Sequence, residues 1–418
     1  MKETRFKQTE IGLVPEDWIC VSLGDIGEYS KGKGISRSDA HTGIIPAIRY
    51  GEIYTDHHEY IKSFRSFISK DVAHSSVRLQ QDQILFTCSG ETKEDIAKAV
   101  AFLGNERAYV GGDIIILTPK IDCDSLFLGF ACNTPEVNRQ KSEVAQGDAV
   151  VHISMEALKK IRLLLPPVSE QHTIADILKN MDALIAELDK LIAKKRLIKQ
   201  GTMQQLLTGR TRLKGFDEPW QTVMLGKIGF TYNGLVGKTK DDFGIGSAKY
   251  ITFLNVLDNP ILDANLFESV NVAEEEYQNK ARKGDLFFNT SSETPDEVGF
   301  CAMLDVDFNN LYLNSFCFGY RVTSGNVLPL FLAYFFRSRQ GRRLMSLLAQ
   351  GVTRYNISKK AFLNTAISLP QLSEQYAIAS ILSDMDTEVS ELEKKKAKYE
   401  KLKHGMMQQL LTGRIRLV

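Results

Sequence analysis

Residues 165–213 read LPPVSEQHTIADILKNMDALIAELDKLIAKKRLIKQGTMQQLLTGRTRL, and residues 369–417 repeat them as LPQLSEQYAIASILSDMDTEVSELEKKKAKYEKLKHGMMQQLLTGRIRL. The two segments align without a gap at a shift of 204 residues, and 28 of the 49 aligned positions are identical. Chance does not produce such agreement over this length. The chain therefore contains one segment at two places, and this duplication decides its fold.

The repetition continues upstream of each segment, but more faintly. Ala145-Gln146-Gly147 matches Ala349-Gln350-Gly351 at the same shift, and Trp18 matches Trp220 at a shift of 202 residues. The chain therefore consists of two modules, each with a variable region followed by a similar helix. A period of 202–204 residues excludes solenoids and propellers, whose units span about 20–50 residues. Two modules in one chain form a pseudo-dimer that presents two related but different surfaces.

The repeat also sets the expected domain boundaries. We predict variable domains at residues 1–168 and 214–372, and repeated helices at residues 169–213 and 373–418. Short apolar runs bounded by turn or charged residues predict strands, and one longer apolar stretch predicts a helix. The variable domains are therefore expected to be α+β, with mixed or antiparallel strands. The predicted strands are residues 84–86, 113–117, 162–165, 286–288, 316–322 and 366–369, and the predicted helix is residues 328–348.

Each repeated segment predicts a long amphipathic helix. Ser169 is the expected N-cap, Glu170 is expected to face the helix dipole, and Gly209 and Gly413 suit the two C-termini. Apolar residues follow a heptad pattern, which is typical of a coiled coil. In the first copy one heptad position holds Ile174, Met181 and Leu188, the next holds Ile177, Leu184, Leu191 and Ile198, and a flanking position holds Leu178, Ile185 and Ile192.

The second copy keeps this apolar stripe in weaker form, because Glu388 and Lys395 interrupt it. The natural partner for each helix is the other helix of the same chain. A helix of about 38 residues spans about 57 Å, which is longer than the variable domain needs. This length favours a spacer, and a purely structural hairpin is the alternative.

Composition excludes several classes of protein. Hydrophobic residues make up 43% and charged residues 25% of the chain, as in ordinary globular proteins. The sequence has no apolar run long enough for a membrane span and no secretory signal at its N-terminus, so we expect a cytoplasmic protein. The six cysteines form no CxxC pair, which favours reduced thiols over a metal site. The net charge of +1 argues weakly against a free-standing nucleic-acid binder, although a neutral average can hide basic patches.

Several polar loops carry groups that suit contacts with DNA. A basic glycine-rich loop in each module offers contacts to phosphates, and the alternative is a solvated loop. A polar stretch in each module, residues 87–92 and 289–294, offers small hydrogen-bonding groups, and the alternative is simple turn capping. The candidates are Lys31, Lys33 and Arg37 with Lys238 and Lys240 in the basic loops, and Ser89 and Lys93 with Asn289, Ser291 and Ser292 in or beside the polar stretches.

The most informative pair of loops lies just before the last strand of each module. Residues 147–152 read GDAVVH and residues 351–356 read GVTRYN, both followed by Ile-Ser. A loop that reads bases should diverge inside a constant frame if the modules read different sequences, and drift of an exposed loop is the alternative. Arginine suits guanine, asparagine suits adenine and aspartate accepts from cytosine. The candidates are Asp148, His152, Thr353, Arg354, Tyr355 and Asn356.

Catalytic motifs are absent from the sequence. No Asn/Asp-Pro-Pro-Tyr/Phe loop of a DNA methyltransferase is present, and no Walker motif of a motor protein is present. The nearest approach to a nuclease site is Asp82 with Glu91 and Lys93, but the second module has Pro295 where the first has Lys93. We therefore expect no catalytic residue, no cofactor and no metal in this chain.

The chain resembles the specificity subunits of type I restriction–modification enzymes over its whole length. The resemblance rests on Thr9-Glu10-Ile11-Gly12 followed by Pro15-Glu16-Asp17-Trp18, on the Leu-Pro-x-x-Ser-Glu-Gln entry to both helices, and on the two Gln-Gln-Leu-Leu-Thr-Gly-Arg endings. It implies that residues 1–168 and 214–372 are target-recognition domains, each reading one half of a split site in double-stranded DNA. It also implies that the two helices pack antiparallel as a coiled-coil spacer.

The same resemblance implies partners and places the chemistry on them. Two methyltransferase subunits would grip the helices, and motor–nuclease subunits would join for cleavage. Those partners would hold S-adenosylmethionine, ATP and magnesium, whereas this chain would be non-catalytic. Two other functions stay open at this point: a two-copy coiled-coil adaptor that binds only proteins, and a stand-alone DNA-binding regulator.

Exchange of a single module tests the duplication directly. Replacing residues 1–168 by the corresponding region of a relative should change one half of the recognised DNA site and leave the other half unchanged, because each module has its own core and loops. Mapping of methylated sites in a genome that carries the hybrid subunit measures this. A simultaneous change of both halves would contradict the two-module interpretation.

Overall fold

The computed structural model describes residues 5–9, 12–258 and 260–417. Glu10 and Ile11 of the N-terminal motif lie outside the described residues. The chain divides into two compact units, the first formed by Met1–Leu188 with Lys395–Val418 and the second by Asp189–Lys394. Each unit holds one variable domain together with segments of both long repeated helices.

The first module is a mixed α+β domain followed by its long helix. Two four-stranded sheets form its body, in the orders β10-β8-β12-β4 and β6-β5-β11-β7. All pairs in them are antiparallel except β5 with β11. The strands are β1 (Phe6–Thr9), β2 (Gly12–Pro15), β3 (Ile19–Ser22), β4 (Gly27–Lys31), β5 (Ile45–Ile48), β6 (Ser66–Ile68), β7 (Val77–Arg78), β8 (Gln83–Thr87), β9 (Ser89–Gly90), β10 (Ala99–Phe102), β11 (Tyr109–Val110), β12 (Ile114–Pro119), β13 (Val151–His152) and β14 (Arg162–Leu165). The helices are α1 (Leu23–Ile26), α2 (Tyr50–Thr55), α3 (Lys70–Ser75), α4 (Ser125–Ala131), α5 (Pro135–Val144), α6 (Met155–Lys159) and α7 (Val168–Leu206).

The second module repeats this plan. Its sheet β16-β23-β19-β21 matches β4-β12-β8-β10 strand for strand, and its sheet β18-β17-β22 matches β6-β5-β11. The strands are β15 (Gln221–Met224), β16 (Gly229–Asn233), β17 (Phe243–Ile251), β18 (Glu268–Val270), β19 (Leu286–Asn289), β20 (Ser291–Ser292), β21 (Cys301–Met303), β22 (Leu311–Leu313), β23 (Cys317–Val322), β24 (Ala349–Gln350), β25 (Tyr355–Ile357) and β26 (Ala366–Leu369). The helices are α8 (Leu225–Ile228), α9 (Phe253–Asp258), α10 (Pro329–Arg337), α11 (Arg339–Leu348), α12 (Lys359–Leu363) and α13 (Leu372–Leu410), and single 3-10 turns occur at Arg37–Asp39, Lys240–Asp242 and Ala264–Leu266.

The predicted strands are all present, at bounds that match within two residues. The single helix predicted over residues 328–348 is wrong, because the structure divides it into α10 and α11. Ser338 causes the break, since its backbone is extended and its hydroxyl caps the first turn of α11 by accepting from the backbone N–H of Gly341. The chain therefore leaves the helical conformation at Ser338 and begins a second helix there.

The repeated helices α7 and α13 are each 39 residues long. The predicted N-cap is wrong, because α7 begins at Val168 and Ser169 already lies in its first turn. Both helices end three residues before a glycine that adopts a positive φ, 67° at Gly209 and 69° at Gly413, as predicted. Because an L-residue rarely adopts such a φ, these glycines let the chain turn away from each helix.

The predicted apolar stripe of α7 is only partly buried. Within the first unit Ile174, Leu178 and Leu188 are buried. At the neighbouring heptad position Ile177 is half-buried, whereas Leu184 is 37% exposed in the first unit and Leu191 and Ile198 are 38% and 44% exposed in the second. The buried face of α7 is therefore narrower than the sequence pattern indicates.

Within the second unit the segments of α7 and α13 run antiparallel. Lys195 pairs with Glu388 at 2.6 Å, and Arg196 pairs with Glu393 at 2.6 Å. Lys199 pairs with the earlier residue Asp386, so the numbering rises along one helix as it falls along the other. Glu388, which interrupts the apolar stripe in the sequence, therefore faces α7.

A buried ion pair closes the first unit. The Arg416 guanidinium donates to both carboxylate oxygens of Glu170 at 2.7 Å and to both of Asp17 at 2.7 and 2.8 Å. The Trp18 indole Nε1 donates to the same Glu170 carboxylate at 3.1 Å. The hydrogen bonds to Glu170 and Asp17 raise the pKa of Arg416, and the bond from Arg416 lowers the pKa of Asp17. Glu170 therefore anchors the end of the second repeat instead of facing only its own helix dipole.

The second unit contains the same ion pair, but here the arginine comes from the first module and the glutamate from the second. Arg212, after the first repeated helix, donates to the two carboxylate oxygens of Glu374 at 2.7 and 2.8 Å. Its guanidinium lies over the Trp220 ring, with 6.0 Å between the guanidinium carbon and the ring centroid. The shift that aligns the two repeats converts Glu170 and Arg416 into Glu374 and Arg212. We call these two sites the clamps.

Each unit contains a second ion pair between the two repeated helices, further from the clamp. Asp182 pairs with Lys403 at 2.7 Å in the first unit, and Asp386 pairs with Lys199 in the second. The alignment of the repeats again relates the two pairs. Each unit is therefore completed by helix residues from both modules.

The apolar core of each unit also includes residues from the repeat of the other module. Leu410 and Leu411 of the second repeat belong to the core that contains Trp18, whereas Leu206 and Leu207 of the first repeat belong to the core of the second unit. In the described part of the chain, no helix combines the length and apolar character needed to cross a membrane.

The clamps predict where a substitution acts. Arg416→Met should destabilise the first unit by about 3 kcal/mol, because it leaves the buried Glu170 carboxylate without its cation. Native-state hydrogen exchange measures the loss of protection in peptides from each unit separately.

Arg212→Met is the matched variant. It should lower protection in the second unit, although Arg212 follows the first module's helix. Loss of protection in the first unit alone would contradict the exchanged arrangement.

Candidate nucleic-acid interface

Strand pairing brings two predicted segments together in each unit. In the first unit β13 pairs with β9, so that Val151 lies opposite Gly90 and His152 opposite Ser89. The polar stretch after β8 and the divergent loop before α6 therefore form one surface. We call the surface formed by residues 89–93 and 147–152 the first reading edge.

The second unit builds the equivalent surface in the same way. β20 pairs with β25, which places Ser291 opposite Asn356 and Ser292 opposite Tyr355. β24 also pairs with β25 and fixes the base of the divergent loop. We call the surface formed by residues 291–294 and 351–356 the second reading edge.

Glycine sets the frame of both divergent loops. Gly147 has a φ of 106° and Gly351 a φ of 142°. A Cβ atom on Gly147 would collide with the carbonyl oxygen of Val150, and one on Gly351 would collide with that of Arg354. Each loop therefore turns back tightly over three residues, and its interior side chains can change without a change of frame.

The first reading edge presents acidic and imidazole groups. Asp148 and His152 are exposed, and the Ser89 hydroxyl lies 3.0 Å from Nδ1 of His152. Lys31 is exposed and lies near this edge. Burial raises the pKa of the neighbouring Cys88 thiol to about 11, and the charge of Lys31 opposes that rise.

A tyrosine that the sequence did not single out positions the first edge. The Tyr54 hydroxyl donates to the carbonyl oxygen of Ser89 at 2.9 Å and lies 2.7 Å from the Thr87 hydroxyl. Lys98 in turn donates to the Tyr54 carbonyl oxygen at 3.2 Å. No local pattern in the sequence signals this role, because Tyr54 is 35 residues away from Ser89.

The second reading edge presents basic and amide groups. Thr353, Arg354 and Asn356 are exposed, and Tyr355 and Ser292 are half-buried. The Ser292 hydroxyl donates to Oε2 of Glu297 at 3.0 Å. The two edges therefore share a frame and differ in charge and in hydrogen-bonding chemistry.

Two side chains brace the loop beside the second edge. The buried Asn289 accepts from the backbone N–H of Phe300 at 2.6 Å and donates to the carbonyl oxygen of Glu297 at 2.9 Å. The half-buried Arg342 donates to the carbonyl oxygen of Gly299 at 2.7 Å. Burial lowers the pKa of Arg342 to about 10. No sequence pattern singled out Arg342, because the Gly299 carbonyl that it binds lies 43 residues away in the chain.

The remaining predicted site residues differ in their exposure and in their partners. Lys33, Arg37, Lys93 and Lys240 are exposed, and Ser291 is buried between the paired strands. The Lys238 ammonium pairs with Glu276 at 2.5 Å and its side chain is only 6% exposed. That hydrogen bond lowers the pKa of Glu276 to about 2. Lys238 and Asn289 therefore shape their loops in the free protein.

The edges offer hydrogen-bond donors and acceptors. Over residues 5–9, 12–258 and 260–417, no group of three or more histidine, cysteine, aspartate or glutamate side chains is placed to hold a metal ion.

A protein family matches both modules separately. The family described as the type I restriction modification DNA specificity domain matches residues 15–198 and again residues 217–403. The chain belongs to this family. Its two reading edges each fall inside one of the two matched regions.

Individual relatives from the specificity family extend the match over the whole chain. The MjaVIII specificity subunit of a type I restriction enzyme from Methanocaldococcus jannaschii is 27% identical over 439 aligned residues, which cover 100% of this chain and 97% of that protein. The EcoKI specificity subunit from Escherichia coli is 22% identical, and the alignment covers 92% of this chain and 85% of that protein. The adaptor alternative finds no support among these relatives.

Solved structures of the specificity family share the fold. The S subunit of a type I restriction–modification system from M. genitalium has a TM-score of 0.57 at 14% identity, and the match covers 94% of this chain and 96% of that one. A chain from a study of complex assembly and conformational transition of the type I system has a TM-score of 0.58 at 16% identity, with coverages of 96% and 99%. The two-module α+β architecture with long helices is therefore that of this family.

The buried brace Asn289 and the edge residue Ser292 should differ in their contribution to stability. Asn289→Ala should destabilise the chain by about 1–3 kcal/mol, because it removes the hydrogen bonds by which the buried Asn289 side chain holds the backbone groups of Glu297 and Phe300. Ser292→Ala, at the partly exposed edge, should change stability by less than about 0.5 kcal/mol. Chemical denaturation compares the two. Equal effects would contradict a bracing role for Asn289.

Proposed function

We propose that the chain reads a bipartite site in double-stranded DNA, one half with each reading edge. As a member of its family the chain is the DNA-recognition subunit of a type I restriction–modification system. The observation that carries the proposal is that strand pairing unites the polar stretch and the divergent loop in both units, inside the same frame. A shared frame with divergent interiors is what two readers of different sequences require.

The exposed side chains give each edge its own base preference. On the second edge, Arg354 suits bidentate contact with guanine and Asn356 suits adenine, with Thr353 and Tyr355 beside them. On the first edge, Asp148 accepts from cytosine and His152 with Ser89 adds a donor–acceptor pair. The two half-sites should therefore differ in sequence.

Exposed basic residues around the edges supply contacts to phosphates. Such contacts fix the protein on the duplex and carry no sequence information. Lys31 near the first edge and Lys93 within it suit this role, as do Lys33, Arg37 and Lys240. Lys238, Asn289 and Ser291 support the loops, which is consistent with their burial and internal partners.

The proposal places the chemistry on partner proteins in the cytoplasm. Two methyltransferase subunits would hold S-adenosylmethionine, and motor–nuclease subunits would hold ATP and magnesium, so that this chain catalyses no reaction itself. The lack of methyltransferase and Walker motifs in the sequence supports this division. The exposed leucines of α7, Leu184 in the first unit and Leu191 in the second, supply apolar surface for such partners.

Binding measurements distinguish this proposal from the other functions. The chain with methyltransferase subunits should bind DNA in a salt-dependent and sequence-specific manner. An adaptor would show no DNA binding with or without those subunits, and a stand-alone regulator would show full specificity without them.

One arginine tests the reading role directly. Arg354→Ala should weaken discrimination at one base pair by about 1–3 kcal/mol, because a bidentate base contact is lost. Competition binding on the recognised site and on single-base variants of it measures the change. Arg37→Ala is the control and should weaken binding to all sequences alike. Equal weakening of site and random DNA by Arg354→Ala would show that it contacts a phosphate.

A further inference from the structure

The two modules differ in charge at the helix that leads into the divergent loop. In the first unit this helix is α5, and its exposed Arg139 donates to Glu136 at 2.6 Å and to Glu143 at 2.8 Å. These hydrogen bonds raise the pKa of Arg139, the bond to Glu136 most. The charge of Arg139 is therefore neutralised by its own helix, which carries one more carboxylate than guanidinium on this face.

The equivalent helix of the second unit keeps the arginine and lacks both acids. At the shift that aligns the repeats Arg343 of α11 matches Arg139, whereas Gln340 and Leu347 stand where the first module has Glu136 and Glu143. Arg339 adds a second cation in place of Pro135. In the part of the chain that the structure describes, neither Arg339 nor Arg343 has a carboxylate within ion-pair distance.

This basic face belongs to the helix that leads into the second reading edge. Arg339 and Arg343 are four residues apart, so both point to the same side of α11, and both are exposed. The helix runs directly into β24 and the Gly351 turn, while its half-buried neighbour Arg342 holds residues 296–299 behind the other half of the edge. α11 is thus joined directly to one segment of the edge and hydrogen-bonded to the residues that follow the other segment.

The spacing of the two arginines suits a nucleic-acid strand. Four helical residues rise about 6 Å, and two nucleotides of one B-DNA strand rise about 7 Å. A guanidinium binds phosphate through paired hydrogen bonds. An exposed guanidinium without an acidic partner makes that contact without first breaking an ion pair.

We propose that Arg339 and Arg343 form a phosphate-binding face that grips the DNA backbone beside the half-site read by the second edge, and that α5 of the first unit has no such function. The inference rests on the proposed DNA recognition and extends it, because it assigns sequence-independent binding to α11 and denies it to the equivalent helix α5. At this helix the second unit gains an electrostatic contribution to DNA binding that α5 of the first unit lacks.

Salt dependence of DNA binding tests the assignment. The full chain in complex with its methyltransferase subunits is titrated with a random-sequence duplex at several salt concentrations. Arg339→Gln with Arg343→Gln should reduce the magnitude of the negative slope of log K against log salt by about 1.8, since each phosphate contact contributes about 0.9. Discrimination between the recognised site and single-base variants should stay unchanged, because phosphate contacts carry no sequence information.

Two further variants use the first module as a guide. Arg139→Gln is the matched control and should leave the slope unchanged, because that arginine is already neutralised. Gln340→Glu with Leu347→Glu rebuilds the two acids around Arg343 on exposed positions. This variant should reduce the magnitude of the slope although the arginine itself remains. These substitutions lie on the surface, so folding is retained.

The outcomes separate the two claims. An unchanged slope in the Arg339→Gln, Arg343→Gln variant overturns the inference, and so does an equal reduction of the slope's magnitude in Arg139→Gln. DNA recognition stands in either case. Absence of salt-dependent binding by the unaltered complex overturns the proposed function and the inference with it.

Discussion

The buried carboxylate of Glu170 joins the two modules in the first unit through its ion pair with Arg416, and Glu374 does the same in the second unit through Arg212. Each is buried at the start of a repeated helix and holds an arginine that follows the end of the other repeated helix. A buried carboxylate requires a cation, so each variable domain depends on the other module for its electrostatic closure. The exchanged pairs Asp182–Lys403 and Asp386–Lys199 repeat the dependence further along the helices. Duplication thus yields two units that each contain essential parts of both modules.

The repeated scaffold is the same in both units, whereas the surfaces that it carries are not. Gly147 and Gly351 hold the same turn, but the groups inside it change from acidic to basic. The supports also differ, with Tyr54 behind the first edge and Asn289 and Arg342 behind the second. The repeated helices and their clamps hold the two units together, whereas the groups that differ between the two edges lie in short loops. Because different residues carry the fold and these loops, the edges can diverge without loss of the fold.

Local sequence patterns predicted the strands and both long helices because period and composition express them directly. They also identified the divergent loops, since the repeat supplied an internal comparison. They did not predict that β9 pairs with β13, because no local signal fixes the register between segments so distant in the chain. The break at Ser338 was missed since a helix pattern continues across it, and the burial of Asn289 and the ion pair of Lys238 depend on tertiary neighbours. Long-range contacts decide those features, and one sequence does not display them.

The exchange of helix ends has a consequence for biogenesis. The second unit consists of Asp189–Lys394, so the ribosome delivers all of it before it delivers residues 395–417. The first unit needs Leu410, Leu411 and Arg416 to cover Trp18 and neutralise Glu170. The first unit is therefore synthesised first in large part, but its core is completed last. Until residues 395–417 have been synthesised, the first unit exposes apolar surface that its core later buries, and chaperones bind such surface in nascent chains.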